Sequence, residues 1–118
     1  MPRPWSDKFR DALRGLVLAM RGERSFTVHL PMAVVVLEAG VWLRVSVVEA
    51  CILALCVTIV LAAEMFNTEI EYLAREITGE PRAGIAAALN IASGAVLVTA
   101  LGAAAIGTMI FVLRLIAV

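Results

Sequence analysis

Four polar side chains in the second half of the chain share one helical face. Glu64, Asn67, Thr68 and Glu71 stand at positions i, i+3, i+4 and i+7, the spacing that stacks side chains on one side of an α-helix. Arg75, at i+11, continues the row. Glu69 points roughly 140° away from Glu64 by the helical step and stays outside it. Carboxylates beside an amide, with no histidine or cysteine in the row, are hard oxygen ligands. They suit Mg²⁺, which takes one or two protein carboxylates and leaves its other positions to water and phosphate. A further carboxylate in such a group can accept the proton of a hydroxyl nucleophile. The alternative is an acidic helix end solvated by lipid headgroups, and spacing does not separate the two. No glycine-rich phosphate loop of the ordinary NTPase kind accompanies the row. A kinase here needs another scaffold.

The elements that must position this row belong to a membrane. A chain of 118 residues has room for one domain at about 100–200 residues each. Its hydrophobic fraction is 62% and its charged fraction 17%, against about 45–50% and 25% in soluble chains. A soluble domain this small could not bury so much apolar surface. Disorder is excluded by the same composition. Zero formal net charge with one lysine, Lys8, excludes nucleic-acid binding. Cys51 and Cys56, inside an apolar run, make neither a disulfide framework nor a zinc site. An all-α integral membrane protein remains.

Charge is nearly absent from three runs. Residues 25–43 are interrupted only by His29, Pro31 and Glu38, residues 45–63 only by Glu49, and residues 83–113 hold no charge. A bilayer core of about 30 Å needs roughly 20 helical residues. Transmembrane helices are therefore expected over 25–43, 45–72 and 83–113, the third long enough to project into the headgroup layer. Arg3, Lys8, Arg10, Arg14, Arg21 and Arg24 precede the first run, and Arg75 and Arg82 separate the second from the third. Only Arg44 lies in the first turn, with Arg114 near the C-terminus. That bias puts the N-terminus and the second loop in the cytoplasm. Trp5, Phe9, Ala12, Leu13, Leu16, Val17 and Met20 recur at helical intervals, which predicts an amphipathic helix over 5–21 lying in the cytoplasmic interface.

On this orientation the polar row emerges at the cytoplasmic end of the second span. Glu23 stands at the start of the first, and residues 83–93 of the third lie at the same level. ATP from the cytoplasm and a lipid alcohol from the bilayer are the reactants that can meet there. In the third span Ala88, Ala92, Ala95, Thr99 and Gly102 form a small-residue stripe, which permits close helix contact within the chain or between copies. A three-helix subunit has so little interior that self-association is expected.

The stretch Ala63-Glu64-Met65-Phe66-Asn67-Thr68-Glu69-Ile70-Glu71 resembles the signature of the small bacterial diacylglycerol kinase and undecaprenol kinase family, Glu-x-x-Asn-[Ser/Thr]-x-x-Glu. Glu23-Arg24-Ser25-Phe26 followed by His29-Leu30 is similar to the family's first acidic motif, nearest the undecaprenol-kinase branch. Phe9, Ala12, Arg14 and Gly15 match its surface helix, and Ser93-Gly94-Ala95-Val96-Leu97 its third-helix segment. The resemblance implies a homotrimer of three-helix subunits with surface helices, sited in a bacterial inner membrane. It implies ATP- and Mg²⁺-dependent phosphorylation of a membrane lipid alcohol, diacylglycerol or undecaprenol. Glu23 and Glu71 would hold the metal ions, Glu64 would be the general base on the lipid hydroxyl, and Asn67 would support the nucleotide. The active site would form between subunits.

One departure stands out. The family usually carries Lys-Asp before its third-helix glycine-alanine segment, where this chain has Leu89 and Asn90. Asn90 then faces the nucleotide without the aspartate's charge. Arg82, two turns before Leu89, or Arg75, is the candidate for the missing cation on the phosphates; both arginines also satisfy the orientation rule. His29 is expected at headgroup level as a hydrogen bonder, Glu49 as a solvated group beside the outer turn, and Glu38 has no assigned role. Two competing functions stay open. One is a non-catalytic relative that binds lipid or nucleotide. The other is a small transporter, against which the gathering of acids at one helix end argues.

Overall fold

A computed structural model describes residues 4–22, 24–77 and 82–117. Glu23 lies outside the described residues. Four helices account for nearly all of them: α1 (Trp5–Gly22), α2 (Arg24–Trp42), α3 (Val47–Ile77) and α4 (Ala83–Ala117). At 1.5 Å per residue α3 is about 46 Å long and α4 about 52 Å, well beyond a bilayer core of about 30 Å. Both are long and apolar enough to cross a membrane, with mean hydropathy of 2.3 and 2.4. α2 qualifies as a third only when taken together with α1, from which it is bent by 102°. The overlong apolar run expected in the C-terminal half is thus one continuous helix.

α1 exposes the apolar stripe read from the sequence, with Trp5, Phe9 and Leu13 all open to the surroundings. Asp7 sits in its first turn and Arg21 in its last, each complementing the helix dipole. The Lys8 ammonium lies 5.1 Å from the Trp5 ring centroid, a cation–π contact that folds the charge back over the helix start. Among the described residues of this helix only Ala19 is buried.

The connection between α2 and α3 is short because two terminus motifs abut. Val45 N–H donates to Gly40 C=O and Arg44 N–H to Val41 C=O, the paired bonds of a Schellman stop. Arg44 takes the left-handed backbone conformation (φ 52°) that such a stop requires. Ser46 and Glu49 then close a reciprocal capping box on α3. The Glu49 backbone N–H donates to Ser46 Oγ at 3.1 Å, and the Ser46 N–H donates to Glu49 Oε1 at 2.8 Å. α2 and α3 are thereby forced antiparallel.

Each long helix then shows a packing seam. On α3 it runs Leu53, Val57, Val60, Glu64, Asn67, Glu71, Ala74, all buried or half-buried, at the alternating four- and three-residue steps of supercoiled helix packing. α2 faces it with Phe26, His29, Ala33, Val36 and Gly40, and α4 with Leu89, Ala92, Val96, Ala103, Gly107 and Ile110. Leu53 is the knob common to both interfaces. A Cβ on Gly40 would sit 3.8 Å from Leu53 Cδ1, and one on Gly107 3.9 Å from Leu53 Cδ2. The two glycines let both neighbouring helices close on the same leucine.

Two expectations need adjusting. The small-residue stripe of α4 divides: Ala92 is buried and Thr99 half-buried in the seam, whereas Ala88, Ala95 and Gly102 are exposed. A Cβ added to Gly102 would meet nothing within 4 Å. Glu49 is not a freely solvated group. Its Oε1 accepts from Arg114 Nε at 2.9 Å and is also approached by Nη2, which ties the start of α3 to the end of α4. The reason is the capping box, which already turns the carboxylate toward the α3–α4 seam.

Candidate active site

The α3 seam changes chemistry partway along. Leu53 and Val60 pack as ordinary apolar knobs, and from Glu64 onward the same heptad positions carry Glu64, Asn67 and Glu71. The polar row therefore lies on the face that the fold buries. Glu64 is 2% exposed, Thr68 3% and Asn67 8%, while Glu71 is half-buried. This weighs against the solvated reading of the row. Glu64 and Asn67 are not part of a headgroup-solvated helix end, because burying a carboxylate is costly unless something answers its charge.

Local hydrogen bonds fix the row. Asn67 Nδ2 donates to Glu71 Oε1 at 3.0 Å. Thr68 Oγ1 donates to the Glu64 backbone carbonyl at 2.9 Å. Thr68 thus uses its hydroxyl on the backbone and leaves the Glu64 carboxylate alone. Asn67 Oδ1 is buried with no hydrogen-bond partner. A buried amide oxygen without a donor is destabilising by about 1–3 kcal/mol and is open to a cation or a donor.

One residue joins this site that the sequence reading put elsewhere. His29 Nδ1 stands 2.8 Å from Glu64 Oε1. It is therefore a neighbour of the buried carboxylate. The approach is off the line of the ring N–H, so no formed hydrogen bond results. The signal was present in the turn chemistry: His29 and Glu64 lie equally far on either side of the stop and capping box, so folding the chain there sets them opposite one another.

The remaining candidates sit apart from the buried row within the chain. Arg75 is exposed, its Nε donates weakly to the Glu71 carbonyl at 3.4 Å, and its guanidinium lies 5.0 Å from the Tyr72 ring centroid. It is engaged on its own helix. Arg82 is exposed and its carbonyl accepts from Ala86 N–H at 2.9 Å, making it the N-terminal cap of α4. The Glu49–Arg114 and Leu53–Gly107 contacts set the α3–α4 register, which carries Glu71 to about the level of residues 89–92, counted at equal helical rise. Leu89 is half-buried in the seam there, and Asn90 is exposed on the outer side. The structure brings Glu64, Asn67 and Glu71 together with His29, and leaves Arg82 and Asn90 on open surface.

The donor set fits Mg²⁺. Glu71 and the orphaned Asn67 oxygen are hard oxygen donors on adjacent turns, and Mg²⁺ asks for few protein ligands when phosphates complete its shell. No group of three or more His, Cys, Asp or Glu side chains placed to hold a metal occurs among the described residues, so the described residues make no closed cage of their own.

Comparison with known proteins covers nearly the whole chain. The sequence pattern of prokaryotic diacylglycerol kinase matches residues 10–111. An undecaprenol kinase of Bacillus subtilis (strain 168) is 35% identical over 107 residues, 91% of this chain and 87% of that protein. A diacylglycerol kinase of Synechocystis sp. is 31% identical over 100 residues, 84% of this chain and 57% of that longer protein.

Proposed function

The chain belongs to the prokaryotic diacylglycerol kinase family, and from that membership and the buried acidic row we propose an ATP-dependent lipid kinase. It transfers the γ-phosphoryl group of ATP to the hydroxyl of a membrane lipid alcohol at the cytoplasmic face of a bacterial inner membrane, with its N-terminus inside. The observation that carries this reading is a carboxylate, Glu64, buried at 2% exposure on a membrane-length helix. Undecaprenol and diacylglycerol, after which the two relatives are named, are the candidate acceptors.

The residues divide the work. Glu64 accepts the proton of the lipid hydroxyl as its oxygen bonds to the γ-phosphorus and ADP leaves with the bridging electron pair. Glu71 and the Asn67 oxygen would hold Mg²⁺, together with Glu23, which precedes α2 in the sequence. That ion, when bound, neutralises charge on the β- and γ-phosphates. Arg82 and Asn90, on open surface at the same end of α4, face the nucleotide. The apolar outer faces of α2 and α4 complete three spans per subunit, and the exposed Ala88, Ala95 and Gly102 give a homotrimer its close helix contact.

Leu89 and Asn90 favour a second reading, a relative that binds nucleotide or lipid without catalysis. Incubating the purified protein with γ-³²P-labelled ATP and each lipid in mixed micelles separates them. Label in undecaprenyl phosphate or phosphatidic acid supports the kinase; nucleotide binding with no labelled lipid supports the second reading.

A further inference from the structure

We propose that His29 is a positioning residue for the Glu64 carboxylate, keeping it aimed at the lipid hydroxyl; the inference rests on the kinase reading above. Two contacts fix the α2–α3 register. Gly40 lies against Leu53 and His29 against Glu64, and each pair is eleven residues from the other on both helices. The approach of His29 to Glu64 is therefore set by the Arg44 stop and the Ser46–Glu49 box, about four turns away, and is not a chance rotamer.

The chemistry needs such a neighbour. Glu64 is 2% exposed, and a buried polar group is stable and fixed in direction only when a donor or a cation answers it. Thr68, the nearest hydroxyl on the row, donates to the Glu64 backbone instead. Imidazole Nδ1 at 2.8 Å can supply the donor, and the histidine side chain is itself only 25% exposed. The present off-line angle leaves the ring free to rotate into line. Catalytic hydrogen bonds commonly tighten in this way when substrate arrives. Phe26, 2% exposed and one turn before His29, anchors that face of α2 against the bundle.

The test compares two substitutions of similar volume, His29→Leu and His29→Asn, in the full-length protein in micelles with ATP and lipid acceptor. Asparagine carries a donor where Nδ1 stands; leucine does not. The proposal predicts that His29→Leu lowers kcat at least tenfold with KM for ATP and lipid within about twofold. His29→Asn recovers most of the loss. In a Glu64→Gln background the His29→Leu change costs no further activity, because the partner it serves is gone. Equal kcat for the leucine and asparagine variants, or the same fold loss in the Glu64→Gln background, overturns the proposal. Absence of lipid phosphorylation by the unsubstituted protein instead overturns the kinase reading, so the two failures are distinguishable.

Discussion

Asn67 donates an amide hydrogen to Glu71 at 3.0 Å while its own carbonyl oxygen is buried without a partner. The bond orients the Glu71 carboxylate, and the orphaned oxygen is a local instability at the point where the proposed Mg²⁺ would sit. Stability and activity should therefore respond oppositely at this position. Asn67→Leu removes the unsatisfied group and is expected to leave the melting temperature unchanged or raised, since such a group costs about 1–3 kcal/mol. Phosphoryl transfer should fall by two orders of magnitude or more. Glu71→Gln keeps the shape, loses the charge, and should match that fall while demanding more Mg²⁺ for half-maximal rate. Near-normal transfer by both variants, measured beside thermal unfolding in the same detergent, contradicts the assignment.

Arg82 caps α4 with its backbone and is exposed at the start of that helix. If its guanidinium serves the phosphates, Arg82→Ala raises the KM for ATP or lowers kcat at least tenfold, about 1.4 kcal/mol of transition-state binding. Leu89→Lys, placed near the level of Glu71, should offset the loss. Steady-state kinetics at varied ATP decide it: an Arg82→Ala protein with unchanged parameters means that the arginine only orients the chain.

Glu49 is the shared acceptor of Ser46 and Arg114, at the end of the bundle opposite the acidic row. Its partners should matter to the fold and not to the reaction. Ser46→Ala is expected to cost about 1 kcal/mol, the usual value of a lost N-cap, and Arg114→Leu to lower the melting temperature. The kcat of both, at a temperature where each stays folded, should equal that of the parent. A selective loss of kcat in either variant contradicts this division.

How much of this was legible in the sequence follows from the kind of signal involved. The polar row, the surface helix and the apolar runs are periodic patterns, and periodicity survives in one dimension. The row's burial is not periodic information. It depends on α2 and α4 closing over the seam, which Gly40 and Gly107 allow around Leu53. The His29–Glu64 pairing was not legible because the two residues are thirty-five apart and the register between them is set by turn chemistry at Arg44 and Ser46. The Ser46-x-x-Glu49 box was there to be read. Reading it would also have shown Glu49 as a capping group. The α4 stripe divided because a 3.5-residue repeat marks only one of its two faces as the internal seam.

Ala88, Ala95 and Gly102 are exposed small residues seven apart on α4, and no packing among the described residues explains their size. A leucine at Ala95 should keep helices of neighbouring copies from approaching. Native mass spectrometry in mild detergent is expected to give a trimer for the parent and a weakened or redistributed assembly for Ala95→Leu. A monomeric parent, still active, contradicts the assembly.

The central claim is that Glu64, a carboxylate buried in a membrane-spanning helix, takes the proton from a lipid hydroxyl as ATP gives up its γ-phosphoryl group. The most direct measurement is single-turnover transfer of ³²P from Mg²⁺–ATP to lipid by purified parent protein and by Glu64→Gln, with nucleotide binding measured on both. The account predicts labelled lipid from the parent, transfer by Glu64→Gln slower by at least three orders of magnitude, and nucleotide affinity within about threefold. Transfer by Glu64→Gln at the parental rate, with lipid labelled equally, would contradict it.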